Sequence, residues 1–357
     1  MRIMRQMRMM SKRTRFGLTA LALALAATLT AALGAQATTV SGTINAAGSV
    51  FQANFQRPAI ADFKSVDPGV TVHYSAVGSI TGRADLYANR VLFAGSDSPI
   101  PASEKYRIPK GKTVLYFPVQ FGPIALAYNL PGVTGLKLTP AIIAGIFQHT
   151  ITRWNNPAIK ALNPVSPLPS TLITPAVRSD SSDTTANVSQ YLIDAASSTW
   201  KLGTGETITW PTTDRKGTGE GGVAQIVKTT PGAIGYMDYV TSKFAGLSTA
   251  LIRNRAGAYV APTTASAYAA ATHVIPNASL TFLTLNEPGA DSYPITYQSW
   301  DLVYAQQPSA IDVTLLRAYL GYLLGTGQNL LQVLYLAPLP ASIDKVARTQ
   351  LGKILHS

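Results

Sequence analysis

The chain has 357 residues, a formal net charge of +12 and no cysteine. The missing cysteines exclude disulfides, thiolate chemistry, cysteine-based zinc sites and a lipidated cysteine anchor. Six of the 29 basic residues crowd the N-terminus; the rest of the chain holds 23 basic against 17 acidic residues, a mild +6 that suits an anionic ligand and lacks the dense Lys/Arg runs of a nucleic-acid groove.

Arg2, Arg5, Arg8, Lys12, Arg13 and Arg15 precede an apolar run from Phe16 to Leu33 and then Ala35-Gln36-Ala37, the order of a secretory signal cleaved after Ala37. Residues 1–37 are therefore set aside as a signal peptide, and a periplasmic or secreted protein is expected. No later stretch has the ~18 consecutive apolar residues of a spanning helix, so the mature chain is expected to be soluble. Its length of about 320 residues exceeds the size at which one core keeps growing, which argues for two domains.

Val70–Tyr74, Val91–Ala94 and Val114–Val119 read as strands separated by helical stretches, the alternation that builds α/β layers on a mixed sheet. Thr139-Pro140 opens a helix, since Thr caps and Pro suits the first turn, and Ile142, Ile143, Ile146 and Phe147 then share one face. Leu172 to Val177 reads as an apolar strand, followed at helical spacing by Val188, Tyr191, Leu192 and Ala195. Asn163–Ser170 and Ala261–Ser266 read as loops from their Pro, Thr and Ser content. Asp312 is expected to start a helix with Leu315, Leu316, Tyr319, Leu320 and Leu323 as its apolar stripe, ending at Gly325.

Arg178-Ser179-Asp180-Ser181-Ser182-Asp183-Thr184-Thr185 thus falls at a strand-to-helix junction. A helix N-terminus presents unpaired N–H groups and a partial positive charge; Ser and Thr add hydroxyl donors, and Arg178 adds a planar charged fork. That is the chemistry of an oxyanion site, and it is equally the pattern of an ordinary Ser/Asp helix cap. Gly48-Ser49-Val50-Phe51 and Gly78-Ser79-Ile80-Thr81-Gly82 are two more Ser-bearing turns after strands, and open α/β sheets bind ligands outside the carboxyl ends of their strands. Asp97 follows a further strand, where an Asp near a Pro also serves as a turn residue.

Other motifs fail on their context. Gly217, Gly219 and Gly222 match a dinucleotide-binding spacing, but Trp210–Lys216 is too polar for the apolar strand that motif requires, so a loop is expected there. Gly111-Lys112-Thr113 has Tyr106 where a phosphate loop needs its first glycine. Neither Gly78-Ser79 nor Gly95-Ser96 forms a nucleophile elbow, and Ser342-Ile343-Asp344-Lys345 reads as one turn of a C-terminal helix. His73, His149, His273 and His356 contain no i, i+4 pair, so no metal site is expected; nor is a cofactor or catalysis.

Gly95-Ser96-Asp97, Tyr128-Asn129-Leu130-Pro131-Gly132, Ile151-Thr152-Arg153-Trp154-Asn155-Asn156-Pro157-Ala158-Ile159, Arg178-Ser179-Asp180 and Pro231-Gly232-Ala233-Ile234-Gly235-Tyr236 together resemble the periplasmic phosphate-binding proteins of the high-affinity phosphate ABC transporter. The resemblance runs from about Ala46 to Tyr239 and resumes at Tyr293-Pro294-Ile295-Thr296 and Leu339-Pro340-Ala341-Ser342. It implies an α/β, two-domain periplasmic-binding-protein fold (type II-like) with two crossover strands and a ligand cleft between domain I, residues 38–118 plus 291–357, and domain II, residues 119–290. It implies further that Arg178 holds the phosphate oxygens, that Ser182, Thr184 and Ser79 donate from hydroxyl and backbone, that Phe51 contributes its N–H, and that Asp97 accepts the proton of a protonated phosphate.

The chain departs from the pattern at four residues. Val50 stands for a hydroxyl residue of the ligand set, Ile80 and Thr81 for small residues, and Asp183 for a glycine that faces the ligand. A carboxylate ~5 Å from the anion would repel it by about 3 kcal/mol per unit charge at an effective dielectric of ~20, so Asp183 is expected to turn away and cap its helix. The implied protein is a monomer that captures inorganic phosphate by hinge closure and delivers it to the membrane permease of an ABC transporter, with no nucleic-acid partner. The alternatives are a binder of another oxyanion or phosphorylated ligand, a secreted phosphatase, or a surface protein on the same scaffold.

Overall fold

Parallel strands need crossover helices between them, and the chain supplies two such series. In the computed structural model, which describes residues 40–357, β1 (Gly42–Gly48) is followed by α1 (Ala53–Val66), β2 (Val70–Ala76), α2 (Ser79–Tyr87) and β3 (Phe93–Ser96), and β1 pairs in parallel with both β2 and β3. The expected signal peptide, residues 1–37, lies outside the described residues. The long β4 (Val114–Tyr128), the short β5 (Lys137–Leu138), α3 (Pro140–Phe147) and α4 (Pro157–Leu162) come next. A second parallel trio follows: β6 (Thr174–Arg178), α5 (Asp183–Ala196), β7 (Arg215–Gly217), α6 (Gly219–Thr229) and β8 (Ala233–Asp238), with β6 pairing in parallel with β7 and β8. The remaining main elements are α7 (Tyr239–Phe244), the short strands β9 (Ser248–Thr249), β10 (Leu251–Arg253) and β11 (Tyr259–Val260), α8 (Thr264–Thr272), β12 (Thr296–Tyr304), α9 (Ala310–Leu324) and α10 (Ala341–Leu351). Among the described residues no helix is long and apolar enough to cross a membrane.

The main sheet has the order β2-β1-β3-β12-β4-β8-β6-β7. β12 is antiparallel to β3 and to β4, and β4 is antiparallel to β8. The β4–β12 pair therefore splices two parallel trios that run in opposite senses, and the carboxyl ends of both trios face the middle of the splice. β4 pairs with β12 from Val114 to Pro123 and with β8 from Ile124 to Tyr128. Two prolines in one buried strand are admissible because each falls where the ladder is broken. Pro118 faces Trp300 at the bulge where the β12 register shifts after Ser299, and Pro123 sits where β4 passes from β12 to β8.

The mixed α/β sheet matches the sequence expectation, while several boundaries differ: β3 spans Phe93–Ser96 rather than Val91–Ala94, and β6 spans Thr174–Arg178 rather than Leu172–Val177. β4 runs on past Val119 to Tyr128, because burial outweighs the interruptions by Gln120, Gly122 and Pro123. The helix expected from Asp312 begins at Ala310, with Ser309 as its cap accepting from the Asp312 N–H at 3.1 Å. The stretch Ala261–Ser266 is loop only as far as Thr263, where Thr263 and Ser266 form a capping box that opens α8; the residues that signal a loop are also those that cap a helix.

A buried polar chain anchors the end of β1 to the splice. Asp301 of β12 is fully buried and accepts from Gln52 Nε2 at 2.9 Å and Gln56 Nε2 at 3.2 Å. The Tyr319 hydroxyl of α9 donates to Gln56 Oε1 at 2.6 Å, and the Tyr74 hydroxyl reaches Gln52 Oε1 at 3.0 Å and the Ser49 carbonyl at 2.9 Å. α2 presses on the same strand end so tightly that a Cβ on Gly82 would lie 2.5 Å from the Gly48 Cα. Burial pushes the Asp301 carboxyl up to about 8, the two glutamine amides offsetting part of that rise. A carboxyl raised in the folded state contributes stability that is complete below about pH 4 and is lost as pH rises through the folded value. Asp301→Asn keeps an oxygen for the two amides and removes the charge. Urea unfolding at about pH 5 and about pH 8.5 is expected to show a smaller alkaline loss of stability in this variant than in the parent.

Candidate functional site

Loops that leave the carboxyl ends of the parallel strands meet at the splice. Val50 and Phe51 follow β1, Ser79 follows β2, Asp97 follows β3, and Arg178, Ser182, Asp183 and Thr184 close β6 and open α5. All eight residues singled out from the sequence line one cavity of about 30 Å³, and Gly78, Ser181, Glu206 and Glu220 complete its wall. That volume is far below the roughly 300–1,000 Å³ of a pocket that encloses an organic ligand. Residues Ser79–Gly82, read from the sequence as a turn, are already the first turn of α2. The first-turn N–H groups of α2 and α5, at Ser79 and Asp183, have no intrahelical partner and carry the positive end of each helix dipole.

The loop expected around Gly217, Gly219 and Gly222 is instead a fourth strand-to-helix junction, from β7 into α6. β7 is a three-residue edge strand with exposed Arg215 and Lys216, so no apolar run betrays it in the sequence. Its glycines serve packing: a Cβ on Gly217 would lie 2.5 Å from the Gly222 carbonyl carbon. This junction carries Glu220, which sequence reasoning missed and which the strand-to-helix logic used for Arg178 would have found had the strand been recognised.

Arg178 is tied into carboxylates. Its Nε donates to Asp180 Oδ1 at 2.9 Å, its Nη2 to Asp180 Oδ2 at 2.5 Å and its Nη1 to Glu220 Oε1 at 2.5 Å. Burial alone would lower the guanidinium pKa, but the Asp180 bond and the Glu220 charge raise it, and Arg178 holds the Asp180 carboxyl below its usual range against the effect of burial. Glu220 Oε1 also accepts the Thr184 hydroxyl at 2.6 Å, while its Oε2 accepts the Asp238 N–H at 2.9 Å. Ser182 caps α5, its Oγ accepting from the N–H groups of Thr184 at 3.1 Å and Thr185 at 3.4 Å. Both Thr184 donors, expected to face an anion, are therefore engaged with Ser182 and Glu220. The Ser182 hydroxyl proton stays available to the cavity.

Asp97 is buried, and each of its carboxylate oxygens accepts one hydroxyl at 2.5 Å, from Ser49 and from Ser299. Burial, reinforced by the Asp183 charge, pushes its carboxyl well above the ordinary value. Asp183 does not cap its helix, contrary to expectation, because Ser182 already fills that role. Its carboxylate reaches across to the β3 loop, accepting from Ser98 Oγ at 2.6 Å and from the Asp97 N–H at 3.3 Å.

A second guanidinium lies behind the wall. Arg83 of α2 has a fully buried side chain that bonds Glu104 at 2.9 Å, Glu206 at 3.0 Å and Ser96 Oγ at 3.1 Å. Burial, with the Asp183 charge second, pushes the Glu206 carboxyl up to about 7, against the pull of Arg83. Neither Arg83 nor Glu206 stands in a readable motif; one is a mid-helix residue and the other lies in the connection from α5 to β7. Arg83→Met would leave Glu104 and Glu206 without their cation, and urea unfolding is expected to show a loss of about 3 kcal/mol or more.

The sequence profile of the PBP superfamily domain matches residues 33–326. Phosphate-binding protein PstS 3 of Mycobacterium tuberculosis is 34% identical over 303 residues, which is 80% of each chain. Phosphate-binding protein PstS of Haemophilus influenzae is 33% identical over 309 residues, 84% of this chain and 90% of its own. Among solved structures, a high affinity periplasmic phosphate-binding protein (PfluDING) bound with phosphate superposes with a TM-score of 0.71 at 21% identity, covering 87% of this chain and 94% of that one. A phosphate-binding protein from Stenotrophomonas maltophilia gives 0.68 at 16% identity with the same coverage. At such identities these two structures establish the fold alone, that of the two-domain periplasmic binding proteins.

Proposed function

We propose, from the premise that this chain belongs to the phosphate-binding protein PstS family of the PBP superfamily, that it captures inorganic phosphate in the cavity at the splice and delivers it to an ABC transporter. In this reading residues 1–37 export the chain to the periplasm or beyond. The lobes 38–118 plus 291–357 and 119–290 close over the ion, and the monomer passes it to a membrane permease without catalysing a reaction or using a cofactor. The observation that carries the reading is the convergence of eight residues, distant in sequence, on one ion-sized cavity at the N-termini of α2 and α5.

The chemistry follows from the donors left free. Arg178 has five N–H groups, of which three face Asp180 and Glu220, leaving two for an oxyanion. The hydroxyls of Ser79 and Ser182 and the backbone N–H groups of Phe51, Ser79 and Asp183 add neutral donors. Asp97 is the one ligand that accepts: with a serine hydroxyl on each oxygen it keeps lone pairs for a P–OH, and it repels an anion that carries no proton.

Arg178→Met removes the only guanidinium in the wall and is expected to weaken phosphate binding by about two to three decades; calorimetric titration with phosphate measures this, and undiminished affinity would place the site elsewhere. Asp97→Asn is expected to narrow the preference for phosphate over sulfate, because an amide donates to an oxygen that a carboxylate repels. An unchanged ratio would remove Asp97 from the recognition. The commitment of Thr184 to Glu220 and the absence of a hydroxyl at Val50 favour, as a second reading, a different oxyanion of similar size, which arsenate and sulfate arms of the same titration test.

A further inference from the structure

The cavity wall carries more negative than positive charge. Four carboxylates line it, from Asp97, Asp183, Glu206 and Glu220, against the single guanidinium of Arg178. Arg178 is already divided between Asp180 and Glu220, and Arg83, the cation that touches Glu206, is shared with Glu104. Behind Glu220 lies the buried Asp238, whose N–H it accepts. The Tyr236 hydroxyl accepts from the backbone N–H of Arg178 at 3.2 Å, and the buried Tyr297 hydroxyl has no hydrogen-bond partner among the described residues.

Two of these carboxylates also occupy donors that an oxyanion would use. Glu220 takes the Thr184 hydroxyl and one Arg178 N–H, and Asp183 takes the Ser98 hydroxyl and the Asp97 N–H. A fully ionised wall therefore competes with the ligand for donors while repelling its charge. Each proton carried by the wall, or brought in by the ligand, removes one repulsion and adds an O–H donor.

Resting on the reading of this cavity as a phosphate site, we propose that capture is coupled to protonation: the site takes phosphate in its singly charged dihydrogen form, and Asp183, Glu206 and Glu220 are the specificity residues that reject the dianion. The environment of the wall agrees with the geometry. Burial and then the neighbouring Asp183 charge hold Glu206 at about 7, and burial with the Glu220 charge holds Asp238 at about 7. Glu206 on the wall and Asp238 behind it thus fall in the range where phosphate itself passes from monoanion to dianion. As pH rises through neutrality both partners gain negative charge, so binding weakens.

The test is calorimetric titration of the purified protein with inorganic phosphate from about pH 6 to about pH 8.5, repeated in two buffers of different ionisation enthalpy. The Kd for total phosphate is expected to rise at least about tenfold across this range, with net proton uptake on binding at the alkaline end. Glu206→Gln and Asp183→Asn are each expected to flatten the dependence, and Glu220→Gln, which keeps an oxygen for Arg178 and Thr184, provides a third variant should either fail to fold. A Kd that stays level or falls as pH rises overturns the inference while leaving phosphate binding in place. A steep loss that all three substitutions leave unchanged overturns the role given to these carboxylates. Absence of phosphate binding at every pH overturns the reading of the cavity itself, and this inference with it.

Discussion

The antiparallel pairing of β4 with β12 is the constraint on which the site depends. Because it joins two parallel trios of opposite sense, it turns their carboxyl ends toward one another. Of the parallel strands that end there, β1, β2, β6, β7 and β8 each lead into a helix, and a helix start presents N–H groups without intrahelical partners at its first turn. The cavity is thus a consequence of strand direction, and the positive ends of two helix dipoles are turned toward it before any side chain is considered. The two prolines of β4 fit this role, since they fall where its ladder shifts or changes partner and leave the splice itself intact.

Onto that positive backbone field the chain places an unusual number of carboxylates. Buried carboxylates cost stability unless they are paired or hydrogen-bonded, and the structure meets this by assigning nearly every oxygen a donor. Asp97 has two serine hydroxyls, Asp183 has a hydroxyl and an N–H, and Glu220 has Arg178, Thr184 and a backbone N–H. The same bonds link α5 to the β3 loop and α6 to β6, so the groups that set the charge of the cavity also fix its shape. Asp301 extends the pattern away from the cavity, where amides alone solvate a carboxyl and tie α1 to β12.

The class of the fold and the segments that meet at the candidate cavity were legible because both rest on local chemistry. Apolar runs announced β2, β3, β6 and the start of β4, and Ser-bearing turns after strands marked helix starts. The order Arg178, Ser182, Thr184 at one junction pointed to residues that do line the cavity, although both Thr184 donors are taken by Ser182 and Glu220. The resemblance to phosphate-binding proteins implied ligand roles for Val50, Phe51 and Asp97, whose own turns mark only junctions after strands. What escaped was whatever lacks a local signature. The edge strand β7 is too short and too exposed to show an apolar run, so Glu220 was hidden with it. Arg83 looks like any polar residue within a helix, and Glu206 like any acid in a connection.

The sequence by itself determined the α/β alternation, many of the helix starts and the junctions whose residues line the cavity, since hydrophobic periodicity and capping act over a few residues. Only the tertiary structure decided which donors remain free and which acids face the cavity. That Thr184 is spent on Glu220, that Asp183 reaches Ser98 instead of capping α5, and that Arg83 holds Glu206 are pairings between segments brought together by the sheet. Charge compensation depends on distance and burial, and neither is written in the spacing of residues along a chain.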